Sequence, residues 1–152
     1  MQEALLTLKV ERRIKASPEQ LFLAWTTPEF LAQWFAPTGF EVIEASVDLT
    51  VGGAYSISII NSDQEVTKHF GTYIKITSPS ELVFTWELEN QQCQGSIGQC
   101  ATTLVTVTFK ADNDTTLVSI THEQLPTQES FDGHQFGWNG CLDTLEKVIA
   151  QI

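Results

Sequence analysis

Positive charge is scarce in this chain. Its 152 residues include 8 Lys and Arg against 19 Asp and Glu, a formal net charge of −11. A domain charged in this way repels phosphate backbones and anionic lipid surfaces, and no Lys/Arg cluster makes a local exception, so neither nucleic acid nor membrane is an expected partner. Long hydrophobic runs are missing too. Nothing approaches the ~20 apolar residues that span a bilayer, and the first residues lack the basic segment and apolar stretch of a secretory signal. Cysteine is sparse and odd in number, Cys93, Cys100 and Cys141, which fits a reducing cytoplasm better than a disulfide framework. There is no phosphate loop and no dinucleotide fingerprint, since Gly52-Gly53 alone reads as a hairpin turn. No cofactor is therefore implied.

What the chain has in quantity is aromatic side chains, with four Trp, two Tyr and nine Phe in a composition that is 42% hydrophobic and 18% charged. That is globular composition, and the length suits one domain, 1–152, able to bury a core without disulfide or metal staples.

The order of elements is legible from periodicity and punctuation. Leu5 to Lys15 alternates, with Leu6, Leu8, Val10 and Ile14 on one side, as in a half-buried strand. Ser17-Pro18-Glu19-Gln20 reads as a helix start: a cap, a proline at the first helical position, and the partner of a capping box. Thr27-Pro28-Glu29 repeats the signal and predicts a second short helix to about Trp34-Phe35. Strand-like segments follow at Phe40 to Asp48, around Tyr55, Ile57 and Ile59, at Thr67 to Thr77 and at Leu82 to Leu88. After a polar stretch, Glu89 to Gln99, that reads as a long loop, two more lie at Thr102 to Ala111 and Thr115 to Glu123. The short turns between successive strands predict an antiparallel meander. Thr127 caps a last helix in which Trp138, Leu142, Leu145, Ile149 and Ile152 keep a 4-3-4-3 spacing that commits one face to burial. Gly133, Gly137 and Gly140 loosen its first half by about 1 kcal/mol each relative to Ala.

Several of these segments together resemble a known family. Ala16-Ser17-Pro18-Glu19, Ala24-Trp25-Thr26, Pro28-Glu29 and Trp34 are similar to the N-terminal signature of START-like proteins of the heat-shock chaperone ATPase activator (Aha-type C-terminal domain) family, in the SRPBCC superfamily. Asp48 with Gly52-Gly53-Ala54-Tyr55, Gly71-Thr72-Tyr73 with Leu82 to Trp86, His122 with Leu125-Pro126, and Gly137-Trp138 with Leu142-Asp143 match later parts of its pattern. The resemblance covers nearly the whole chain. It implies an α+β helix-grip fold: a curved antiparallel sheet wrapped around a long C-terminal helix, with two short helices after the first strand and a cavity between sheet and long helix. One departure is Thr50, where many relatives carry Arg. The sequence as it stands also shows no counterpart of the activators' separate N-terminal domain, so a chaperone partner is not expected from the resemblance.

On such a fold Leu82, Phe84 and Trp86 share one strand face, Tyr55, Ile57 and Ile59 another, and Trp138 begins the helix face. These side chains either fill the core or line a pocket of about 300–1,000 Å³. The resemblance favours the pocket, with a small apolar, lipid-like or aromatic ligand as partner and Tyr55, Phe84, Trp86, His122 and Trp138 as ligand-binding residues. Its mouth is expected at the glycine-rich stretch Gly133–Gly140. His122, flanked on its own strand face by Val118 and Ile120, reads as a hydrogen-bonded core histidine or a ligand anchor; His69 and His134 have no supporting pattern. His134 and Cys141 share a helix face, but a metal site wants three or four convergent ligands and a cysteine nucleophile needs a base within reach. No metal site and no catalytic residue are expected. A cyclase- or hydrolase-like enzyme would have only His122 and Asp48 to nominate, and Asp48 is explained by its turn. An interaction module using the sheet face or the surface around Trp34 and Phe35, homodimeric or chaperone-linked, is the other reading.

Overall fold

The computed structural model describes residues 5–36, 39–89 and 102–151, the side chain of Glu89 excepted. The elements run β1 (Leu6–Ile14), α1 (Pro18–Thr26), α2 (Pro28–Trp34), β2 (Phe40–Val47), β3 (Ala54–Asn61), β4 (Val66–Thr77), β5 (Glu81–Glu89), β6 (Thr103–Asp112), β7 (Thr115–Leu125) and α3 (Gln128–Ala150). This is the α+β helix-grip arrangement that the sequence implied. Most of the expected loop at Glu89–Gln99, with Cys93 and Cys100, and the terminal Ile152 lie outside the described residues.

All seven strands form one antiparallel sheet in the order β1-β7-β6-β5-β4-β3-β2. Strands β2 to β7 are a meander, and β1 closes onto β7. Register shifts interrupt three pairings and bend the sheet where they occur. At the end of β7 two residues, Glu123 and Gln124, stand opposite the single Thr7, and Gln124 takes φ +69. The alternation slips by one there, so that Leu125 faces inward again after His122, and both are fully buried.

The helix starts follow the local chemistry. Ser17 Oγ accepts from Gln20 N at 3.2 Å while Gln20 Oε1 accepts from Ser17 N at 2.9 Å, a complete capping box. Thr127 Oγ1 accepts from Ser130 N at 3.0 Å and caps α3. Helix α2 is only seven residues long, and its N-cap Thr27 makes no side-chain hydrogen bond.

Helix α3 packs on β1 and β7 and also touches α2, while α1 lies on β6 and α2 on β2. Trp138, Cys141, Leu142, Leu145 and Ile149 form the buried face of α3, against Leu8, Val10 and Ile14 of β1 and Val118 and Ile120 of β7 in one hydrophobic cluster. Arg12 occupies the inward-facing position between Val10 and Ile14. Its guanidinium donates to Asp143 Oδ1 at 2.7 Å, Glu146 Oε1 at 3.0 Å and Asn139 Oδ1 at 3.3 Å, tying β1 to the second half of α3. Its apolar stem covers the core while the charge reaches three acceptors at the rim.

Candidate functional site

The other half of the interior is aromatic. Trp25, the last buried ring of α1, stacks on Trp138 of α3 with centroids 5.7 Å apart and packs on Trp34 of α2 at 4.7 Å. Phe35, just after α2, meets both Trp86 and Trp138 at 5.9 Å. On the sheet side Tyr55 (β3), Tyr73 (β4) and Phe84 (β5) are mutually in contact, and Trp86 lies beyond Phe84. Strand alternation explains the gathering, because Tyr55 and Ile57, Gly71 and Tyr73, and Phe84 and Trp86 each occupy inward positions on adjacent strands.

Gly71 permits the closest part of this packing. A Cβ there would stand 2.1 Å from the carbonyl oxygen of Thr85. That carbonyl accepts a 2.6 Å hydrogen bond from the Tyr55 hydroxyl, and Thr85 Oγ1 accepts from Thr72 N at 2.8 Å. Tyr55 is thereby oriented with its proton committed, and burial holds its hydroxyl well above the usual tyrosine pKa.

Between the helices and this floor lies a space of about 20 Å³, enough for about one water molecule. Its roof is Trp25, Leu31 and Phe35, and its floor is Tyr55, Ile57, Tyr73, Phe84 and Trp86. Two expectations change. The room is far smaller than the pocket anticipated from the sequence, because the aromatic rings occupy most of it. It also lies under α1 and α2, with no lining residue from α3. Nothing lies within 4 Å of where a Cβ would be at Gly133 or Gly137, so those glycines accommodate no close approach in this structure.

Tyr55, Phe84 and Trp86 line the space, whereas Trp138 and His122 stand in a second layer behind Trp86, within a buried polar relay. The Trp138 indole Nε1–H donates to His122 Nδ1 at 3.1 Å, so the His122 proton resides on Nε2, which donates to Thr103 Oγ1 at 2.7 Å. Thr103 in turn donates to the Trp86 carbonyl at 3.2 Å. His134 mirrors the arrangement: its Nε2 accepts from Trp86 Nε1 at 3.1 Å, and Nδ1 donates to Ser130 O at 2.8 Å. The two rings are 4.5 Å apart.

Both histidines are neutral by this geometry. Burial pushes His122 down to about 2, with His134 adding to the shift, and burial also lowers His134. His69, beside Phe35 and Trp86, is pushed to about 4 by burial despite its 3.3 Å contact with Ile57 O. A histidine whose two nitrogens are both engaged is a structural strut rather than a general base. Burial also raises the Cys141 thiol to about 12, leaving it protonated and unreactive. Among the described residues no group of three or more His, Cys, Asp or Glu side chains could hold a metal ion.

Three contributors were not among the expected site residues. His134 was set aside for want of a supporting pattern, although it stands four residues before Trp138 on the same helix face. Thr103 begins a strand and carried no distinguishing pattern. The third is Trp25, the one buried side-chain polar atom without a hydrogen-bond partner among the described residues being its Nε1. The other three indoles are all satisfied, Trp34 by the Ala24 carbonyl at 2.8 Å and the remaining two by the histidines. Leaving a buried N–H unpaired costs about 1–3 kcal/mol.

Trp34 and Phe35 are 0% and 4% exposed, so they offer no docking surface in this structure. The large apolar side chains that are exposed among the described residues, such as Leu23, Ile43, Val51 and Phe136, are spread over six different segments, which is ordinary for a protein surface. No helix among the described residues is long and apolar enough to cross a membrane.

The family model for Activator of Hsp90 ATPase homolog 1-like protein matches residues 15–150. Among solved structures, the chain is similar to a protein of that designation from Silicibacter pomeroyi, with a TM-score of 0.83 and 23% identity over 96% of this chain and 99% of the other. It is also similar to a protein from Chromobacterium violaceum (TM-score 0.81, 22% identity, 93% and 95% covered). An Activator of Hsp90 ATPase homolog 1-like protein from Aeromonas hydrophila gives a TM-score of 0.77 at 24% identity, with 96% and 93% covered. At these identities the structures establish a shared fold. No functionally curated protein matches the chain.

Proposed function

The chain belongs to the Activator of Hsp90 ATPase homolog 1-like family, and from that premise we propose that it is a cytoplasmic binding protein for a small apolar ligand. The ligand is taken up between α1–α2 and strands β3–β5. The observation that carries this reading is the composition of that space: eight lining residues with no charge among them, six of them aromatic (four on strands β3–β5, one on α1 and one just after α2), and one buried donor left unpaired. A core selected only for stability pairs such a donor or omits it. Apolar walls with few convergent polar groups are the usual make-up of a ligand site.

A space of about 20 Å³ admits a ligand only if one wall moves. Helix α2 is the shorter of the two roof helices, at two turns and without a side-chain cap, whereas α1 has a full capping box and the floor is continuous sheet. Outward displacement of α2 carries Leu31 and Phe35 with it and enlarges the space without disturbing β3–β5.

The test uses N-phenyl-1-naphthylamine, a neutral apolar fluorophore. Saturable one-to-one binding is expected, with quenching of tryptophan emission, and with affinity reduced by Leu31→Phe, which adds bulk to the roof. Absence of saturable binding, or binding unaffected by that substitution, would sink the proposal.

A further inference from the structure

We infer that Trp25 Nε1 is the hydrogen-bond anchor of this site, and that the ligand is an uncharged molecule presenting one acceptor, a carbonyl or ether oxygen, on an otherwise apolar frame. The inference rests on the reading of the site as an apolar pocket and adds to it the polarity of the occupant.

The four indoles of the protein differ in what their ring N–H meets. Each buried tryptophan presents the same group, a ring N–H that can donate and never accept. The fold supplies Trp34 with a backbone carbonyl, and Trp86 and Trp138 each with a histidine nitrogen fixed in the matching tautomer. Trp25 is 4% exposed, its side chain is among those lining the space, and its Nε1, itself with almost no accessible surface, alone has no partner among the described residues. The complementary group on an occupant is therefore an acceptor.

The same surroundings set its charge. No Lys, Arg, Asp or Glu lines the space. The two histidines of the neighbouring layer are neutral, and their ring protons are already given to Thr103 and Ser130. The Tyr55 proton is given to the Thr85 carbonyl. A carboxylate would thus be buried with one neutral donor and no counter-charge, and an ammonium with no anion, both strongly unfavourable. The net charge of −11 further disfavours an anion. A neutral oxygen acceptor meets one donor at no such cost.

The rival occupant is a single water, for which the space is large enough. Indole N–H resonances of the ¹⁵N-labelled protein separate the two. The Trp25 signal is assigned by its disappearance in Trp25→Phe, and the protein is titrated with acetophenone, with ethylbenzene (similar in size, no acceptor) and with benzoate (charged). Acetophenone is expected to bind roughly three- to tenfold tighter than ethylbenzene, the worth of one hydrogen bond. It should move the Trp25 indole proton downfield while the other three stay in place, and benzoate should leave all four unchanged. In Trp25→Phe the preference for acetophenone should vanish; should that variant not fold, the wild-type signals decide. Equal binding of acetophenone and ethylbenzene with an unmoved Trp25 signal would overturn the anchor and leave the apolar pocket standing. A Trp25 proton in contact with a long-lived water and indifferent to acetophenone would likewise overturn it. Failure of every neutral probe to bind would overturn both readings.

Discussion

The two halves of the interior are built from different material. Under the second half of α3, Leu8, Val10, Ile14, Val118, Ile120, Leu142 and Leu145 are all at most 6% exposed, and the one charge on that face, Arg12, reaches three acceptors. Under α1 and α2 the filling is aromatic, with three neutral histidines close by, a water-sized space and an unpaired indole N–H. Aliphatic side chains interdigitate to high density and leave nothing unsatisfied. Rigid rings meeting at 27° to 90° leave gaps and need polar partners for their N–H and O–H groups. The first half packs with its polar groups met, and the second leaves a space and an unpaired donor.

Truncation should separate them most strongly. Leu145 is fully buried on the aliphatic side, and Leu145→Ala is expected to lose about 2–5 kcal/mol of stability in urea unfolding, while the folded fraction binds N-phenyl-1-naphthylamine as wild type does. Altered probe affinity in that folded fraction would mean the halves are not independent.

Acid should act on the aromatic half alone. His122 and His69 have folded pKa values of about 2 and about 4, below their ordinary value of 6.5. Protons therefore favour the unfolded chain. The stability is fully present above pH 6.5 and is lost as pH falls, through about 4 for His69 and on toward 2 for His122. Each such histidine contributes a slope of about 1.4 kcal/mol per pH unit. Urea unfolding between pH 7 and pH 4.5 should show this decline, and His122→Gln should remove one histidine's share; an unchanged slope in that variant would contradict the neutral relay.

Removing the Arg12 clamp is a smaller perturbation, because its partners Asp143 and Glu146 remain solvated, their side chains 64% and 42% exposed. Arg12→Ala should cost about 1 kcal/mol, with faster amide exchange in the second half of α3 and none of the change around Trp86. The smallest effect has the opposite sign. Gly133→Ala and Gly137→Ala meet open space and should each stabilise by up to about 1 kcal/mol through helix propensity. Destabilisation at either would restore the close approach first expected there.

Much of this architecture was readable because it is local. The Ser17–Gln20 box, the two Pro-initiated helices and the Trp138–Ile149 spacing depend on residues within a few positions of each other. The position of the space was not readable, since it is a volume left over after rings from α1, α2 and three strands have packed. The register that sets Tyr55 opposite Gly71, and the shift between Tyr73 and Lys75, are long-range outcomes. His134 shows the same limit: its partner Trp86, 48 residues away, could be learned only from the fold.

The account's central claim is that a small apolar molecule enters the aromatic half and leaves the aliphatic half alone. Methyl-resolved NMR of the protein titrated with N-phenyl-1-naphthylamine tests it most directly. The methyls of Leu31 and Ile57 are predicted to shift and to show contacts with the probe, with those of Leu142, Leu145 and Val118 unmoved. Shifts centred on Leu142 and Leu145, or no methyl shift at saturating probe, would contradict it.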